Sequence, residues 1–227
     1  MASGNWKLSP SDFAFSWQEC QRCYYLKVVR AFPRPRGIMP KIFGVIDNAM
    51  KAAYAGVRTE AIAGGMPPGV VAFGERWVKS ASIPITGSSS TCFILGKFDT
   101  VLLLDDASFC VTDYKTSAAK PEHVALYSRQ LHAYAWALEH PAPGEFSLKP
   151  VSKLGLLTFE PAAMTTSAPP TVALSGALSW QEIRRDDAAF LDFIGEVVSV
   201  LDQPEPPAPS PACEWCRYRD ASRRTGL

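Results

Sequence analysis

The chain has 227 residues, 47% apolar and 20% charged, with a formal net charge of +1. That is enough chain and apolar surface for a real core, and the near-neutral balance excludes a globally basic nucleic-acid coat while leaving room for a local basic groove. No apolar run reaches the roughly 18–20 residues of a membrane helix, and no charged-then-apolar leader is visible. These readings predict a cytoplasmic, intracellular protein whose six cysteines stay reduced and serve as core residues or metal ligands rather than disulfides.

Residues 9–30 predict a helix. Ser9 is its N-cap, Pro10 takes the first helical position and Asp12 closes a capping box, with Phe13, Trp17, Cys20 and Tyr24 recurring on one face. A second helix runs from Lys41 to Gly56, with Gly44 and Asn48 one turn apart on it. The Gly/Pro-rich stretch 64–69 is a loop, 74–86 a strand, and Cys92–Leu104 a long strand that turns at Asp105–Ala107 into the strand "FCVTDYKT". A helix follows over 121–139, then a strand over 151–160, a polar, Pro-rich loop over 162–171 and a short edge strand, "TVALSGAL". Ser179 and Glu182 form a second capping box, ahead of a helix buried through Ile183, Phe190, Ile194, Val197 and Leu201. A stiff Pro-rich linker delivers "CEWC" at the C-terminal end. The order predicts a mixed α/β or α+β fold around an antiparallel meander. One domain over 1–227 is expected, with its core at about 38–203.

The chemistry concentrates on the paired strands. Asp113 and Lys115 share a strand face, and pairing about the turn brings Asp99 roughly opposite Asp113. Two carboxylates that close repel unless a cation sits between them, and hard oxygen ligands suit Mg²⁺ or Mn²⁺. The plainer alternative is a hairpin with solvated surface charges. On the next helix Gln130 and Tyr134 are spaced i, i+4 and share a face, with His132 off it. Cys92 and Cys110 point away from the acids by strand parity and read as core.

The ordered set "GKFD", "DYK" and "QLHAY", behind a helix carrying Gly44, resembles the PD-(D/E)XK nuclease superfamily, and within it the RecB-like and CRISPR-adaptation exonuclease branch. The resemblance runs from about Leu8 to Arg217. It implies a restriction-endonuclease-like core with helices flanking a central sheet, and a metal-dependent DNA nuclease acting as a single-strand exonuclease in recombination, repair or CRISPR adaptation. It assigns the divalent metal to Asp99 and Asp113 with the carbonyl of Tyr114. Lys115 then activates water or stabilises the transition state, and Gln130 and Tyr134 support the site. Where the family carries histidine four residues after the helix glycine, this chain has Asn48, whose carbonyl oxygen is the corresponding metal ligand. That departure leaves open a second reading, a catalytically weak or inactive nuclease-like module that binds DNA or scaffolds a helicase or recombination partner in a bacterial or phage-like setting.

Two C-x-x-C pairs, Cys20/Cys23 and Cys213/Cys216, are a common way to present four thiolates to one metal centre. They predict a clasp that joins the N-terminal helix 9–30 to the tail 204–227. Spacing alone fits either zinc or a [4Fe–4S] cluster, and the resembled branch implies iron–sulfur. Arg22, Lys27 and Arg30, mixed with aromatics, and Arg217 beyond the second pair read as a single-stranded nucleic-acid track.

Overall fold

The computed structural model of the protein describes residues 4–35, 37–117, 120–168 and 171–225. Two sheets share one continuous run of chain, and the site forms where that run bends. Strand β5 (Thr91–Phe98) pairs with β1 (Asn5–Leu8), β3 (Arg76–Lys79) and β4 (Ile83–Pro84). One residue later β6 (Thr100–Leu104) joins a second sheet in the order β2–β6–β7–β8–β9, made with β2 (Gly69–Phe73), β7 (Phe109–Lys115), β8 (Val151–Ala168) and β9 (Thr171–Ile183). The long strand expected from Cys92 to Leu104 is therefore present but changes sheets at Asp99, and the strand expected over 74–86 divides into β3 and β4.

The second sheet is antiparallel except between β7 and β8, which run parallel. Parallel neighbours need a crossover, and α4 (Pro121–Glu139) supplies it with the bounds expected from the sequence. Alternation along β7 then sorts its residues. Val111 packs into a core with Leu131 and Leu138 of α4 and Ile194, Val197 and Val198 of α5 (Asp187–Leu201). Cys110 and Tyr114 face the other way, onto Ile46 and Met50 of α3 (Lys41–Tyr54). Each fully buried Leu or Ile in such layers contributes about 1.5–3 kcal/mol relative to exposure.

The N-terminal segment is not one helix. α1 (Pro10–Asp12) passes into a π-helical turn over Phe13–Trp17, and a new helix, α2 (Gln21–Val29), starts after Cys20. The π turn places Phe13 and Trp17 edge-on to Phe193 of α5, at 5.2 and 5.8 Å between ring centres. Ser9 makes no capping bond, and Asp12 instead pairs with Lys27 at 2.6 Å.

Two further expectations are corrected on the C-terminal side. The loop expected over 162–171 is largely paired among the described residues, because β8 and β9 continue pairing, with bulges, out to Thr166↔Val172 and Ala168↔Thr171. β-Branched Thr165, Thr166 and Val172 suit that pleat, and Pro161 is tolerated because it sits at a bulge in the pairing. The capping box expected at Ser179 and Glu182 does not form, since both residues lie in β9. Asp186 caps α5 by accepting from the Ala189 N–H at 2.9 Å. Among the described residues no helix is long and apolar enough to cross a membrane.

His132 links α4 to that capped helix start. Its Nε2 accepts the Asp186 N–H at 2.9 Å while Nδ1 donates to the Ser128 carbonyl at 2.7 Å, a pairing that requires the neutral ring. Burial lowers its pKa below the ordinary 6.5, against the opposing pull of the Ser128 carbonyl and Asp187. The unfolded chain therefore takes up the proton more readily. The stability His132 contributes is present above its ordinary pKa and is lost as pH falls from there through the depressed value. In His132→Leu the fall in Tm on acidification should flatten, with a lower Tm at neutral pH, as read by thermal melts across a pH series.

Candidate active site

The acids meet because of register. β6 and β7 pair with Thr100 opposite Thr112, so the next position outward sets Asp99 beside Asp113. The Tyr114 N–H reaches Asp99 Oδ2 at 3.4 Å, which ties the bend to β7. Asp113 is almost completely buried, its side chain 3% exposed, and forms an ion pair with Lys115. From α4, Gln130 Nε2 donates to Asp113 Oδ1 at 3.0 Å, and the Tyr134 hydroxyl donates to the Lys97 carbonyl at 2.8 Å. Lys115 also lies 4.6 Å over the Tyr127 ring. Asp99, Asp113, Lys115, Gln130 and Tyr134 all line one cleft of about 380 Å³.

Gly96 explains the first position of the "GKFD" motif. A Cβ there would stand 2.7 Å from Pro10 Cδ and 3.1 Å from Tyr134 Cε1. Only a bare backbone lets α1 and α4 close over β5 at that point, and this contact places Tyr134 and the start of α1 along the cleft wall.

The electrostatics of the cleft are set by burial and by opposed charges. Burial raises the Asp113 pKa, and although Lys115 opposes this, the neighbouring Asp99 adds to it. For Lys115 burial disfavours the charge, but the Asp113 carboxylate outweighs burial and pushes the pKa upward. Among the described residues Gln130 Oε1 is buried and accepts no hydrogen bond, and the buried Asp113 Oδ2 pairs with the Lys115 ammonium. Buried oxygens left in this state are costly in an apolar setting. Asp99 and Asp113 together form a hard oxygen set of the kind that suits a divalent cation.

A feature not expected from sequence is Lys51 of α3. Its ammonium bonds Asp47 at 2.7 Å, Glu75 at 2.8 Å and Asp99 at 3.0 Å. Burial opposes the charge, but the hydrogen bonds to Asp47 and Glu75 and the field of Asp99 raise its pKa well above the ordinary value. Asn48, expected as a metal ligand, is exposed, and among the described residues no hydrogen bond joins it to the acids. Ile46 and Met50 are the buried residues of α3, and Asn48 lies about 200° from either on an ideal helix. The flank carrying Asp47 and Lys51 turns toward Asp99 instead. The i, i+4 spacing of Asp47 and Lys51 was the available signal. Phe15 and Trp77, 47% and 63% exposed, also line the cleft.

The basic residues gather elsewhere. Arg22 and Arg30 line a separate hollow with Phe32, Arg219 and Arg223. Lys27 is held by Asp12, and Arg217 is exposed on α6 (Glu214–Arg224) near Glu214. The four expected cysteines are all buried, and their sulfurs lie within 4.8 Å of one another. Cys92 and Cys110 are fully buried apart from them, and burial pushes both thiols up to about 12.

The family described as the PD-(D/E)XK nuclease superfamily matches residues 36–221. The chain belongs to that superfamily. The match spans the acids, Lys115, Gln130 and the second cysteine pair, so a PD-(D/E)XK nuclease core underlies both the cleft and the tail. No curated protein matches. A solved structure titled "Crystal structure of SSO0001" is similar over 91% of this chain and 81% of its own, at 14% identity and a TM-score of 0.44, a likeness too weak to argue from.

The packing at Gly96 yields a direct check. Gly96→Val should move Pro10 or Tyr134 and lower Tm, with a cost of about 1–3 kcal/mol from overpacking. Chemical denaturation of the variant measures it.

Proposed function

We propose that this PD-(D/E)XK protein is a divalent-metal-dependent deoxyribonuclease that works as an exonuclease on single-stranded DNA ends, in recombination, repair or CRISPR adaptation. The observation that carries the reading is the convergence of Asp99, Asp113, Lys115 and Gln130 on one cleft, from a bent strand, its neighbour and a crossover helix. A divalent ion, which Asp99 and Asp113 would hold, would polarise the phosphodiester and acidify a bound water. Gln130 fixes Asp113 through its amide N–H and keeps its own carbonyl oxygen free to orient the attacking water. Lys115 sits where its ammonium can meet charge building on the phosphate, a preorganised cation that needs no rearrangement as the reaction proceeds. Tyr134, engaged with the Lys97 carbonyl, positions rather than reacts.

The preference for single strands rests on Phe15 and Trp77, exposed aromatics beside Lys97 at the cleft. Rings of that kind stack on unpaired bases whatever their identity.

Lys51 favours a second reading, in which the fold binds DNA with weak or no cleavage. Its ammonium already neutralises Asp99, so a divalent ion must displace it or share the carboxylate.

Cleavage of end-labelled single- and double-stranded DNA in Mg²⁺, Mn²⁺ or EDTA separates the two readings. Asp113→Ala should abolish metal-dependent cutting. Lys115→Ala should lower it by about 10²–10³-fold, the loss typical of one preorganised charge, while DNA binding is retained. Binding without cutting in the unmutated protein establishes the second reading. Trp77→Ala should weaken single-strand binding by about 1–3 kcal/mol per lost stack and leave duplex binding nearly unchanged, as read by fluorescence anisotropy.

A further inference from the structure

The resembled exonuclease branch implies iron–sulfur at the cysteines, and the geometry disagrees. Cys20 Sγ lies 3.8 Å from Cys216 Sγ, and Cys23 Sγ lies 3.7 Å from Cys213 and 3.5 Å from Cys216. All four sulfurs fall within 4.8 Å of one another. Zinc–thiolate bonds of about 2.3 Å in a regular tetrahedron set the sulfurs about 3.8 Å apart. In a [4Fe–4S] cluster each thiolate binds a different iron corner of a cube. The sulfurs are then separated by the iron–iron edge as well as by two outward bonds, and four sulfurs this close enclose room for one ion but not for a cube.

The local folding is equally specific. Cys20 is the N-cap of α2 and Cys213 the N-cap of α6. Cys23 and Cys216 follow at the third helical position of the same helices, so two helix N-termini converge on one point with the same pattern. Their positive ends favour thiolates. Further donors surround the sulfurs: the Ser210 N–H to Cys20, Arg34 to Cys213 and Arg219 to Cys216, each at 3.5 Å. Four thiols that bind Zn²⁺ release four protons and leave a centre of charge −2. Two guanidiniums and a backbone N–H are the outer partners such a centre needs.

We infer that the four-cysteine clasp holds a single tetrahedral zinc ion rather than an iron–sulfur cluster, making it a redox-inert tie between α2 and α6. Its test is independent of cleavage. Protein produced with both iron and zinc supplied and purified without oxygen should be colourless and should contain about one zinc per chain, with no acid-labile sulfide. Cobalt exchanged into the site should give the intense visible bands of tetrahedral thiolate Co²⁺. Cys213→Ser should lose the zinc and lower Tm, whereas Cys92→Ser and Asp113→Ala should keep the zinc, which separates the clasp from the acidic cleft. Iron with sulfide at about four of each per chain and a brown colour would overturn the inference. So would zinc that survives Cys213→Ser, or a metal-free protein with undiminished Tm.

Discussion

The repulsion between Asp99 and Asp113 organises this molecule. One of these carboxylates is buried and the other borders it at the next register position, an arrangement that a stable fold tolerates only with positive charge at hand. The chain supplies that charge twice. Lys115 comes from the same strand as Asp113, and Lys51 arrives from the opposite layer and grips Asp99, Asp47 and Glu75 together. The bend between β5 and β6 sets Asp99 beside Asp113, and Gln130 adds a hydrogen bond to Asp113. Gathering carboxylates in one place is costly to fold, since their charge must be kept neutralised.

The two lysines differ in consequence. Lys115 is confined by the Tyr127 ring and by burial, so it stays beside Asp113. Lys51 is shared among three carboxylates on the outer flank of the cleft, and its hold on Asp99 is one of three contacts it can redistribute. Any cation bound at Asp99 would therefore compete with Lys51 for that carboxylate.

Much of this was legible in the sequence, for reasons that differ by element. α4 announced itself through Pro121 at its start and a long amphipathic run, and β7 through its apolar alternation around Asp113 and Lys115. The hairpin turn at Asp105–Ala107 fixed the register that joins the acids, so the core of the site followed from local signals. The misses were non-local. β1 is four residues long and exists by parallel pairing with β5, which no local pattern encodes. The distal part of β8 and β9 looked like a loop because Pro161 and a polar composition mask the pairing that holds it. Residues 179–182 carry the letters of a capping box but are claimed by β9, where Glu182 meets Lys153 across the strands at 2.7 Å. Asn48 was placed by analogy with a motif, whereas the side of α3 that faces the acids is decided by how Ile46 and Met50 bury.

Cys20 and Cys216 are separated by 196 positions along the chain, and this has a consequence for how the protein is made. Contacts of such long range carry a large loop-closure cost until the intervening structure forms. During synthesis the second helix N-terminus emerges only after both sheets and α5 have been produced, so the four sulfurs can meet only then. A chain stopped short of Cys213 presents two of the four sulfurs however well its core has folded. If the clasp holds the ion proposed above, loading it waits on the folding of both sheets, which bring the two cysteine pairs together.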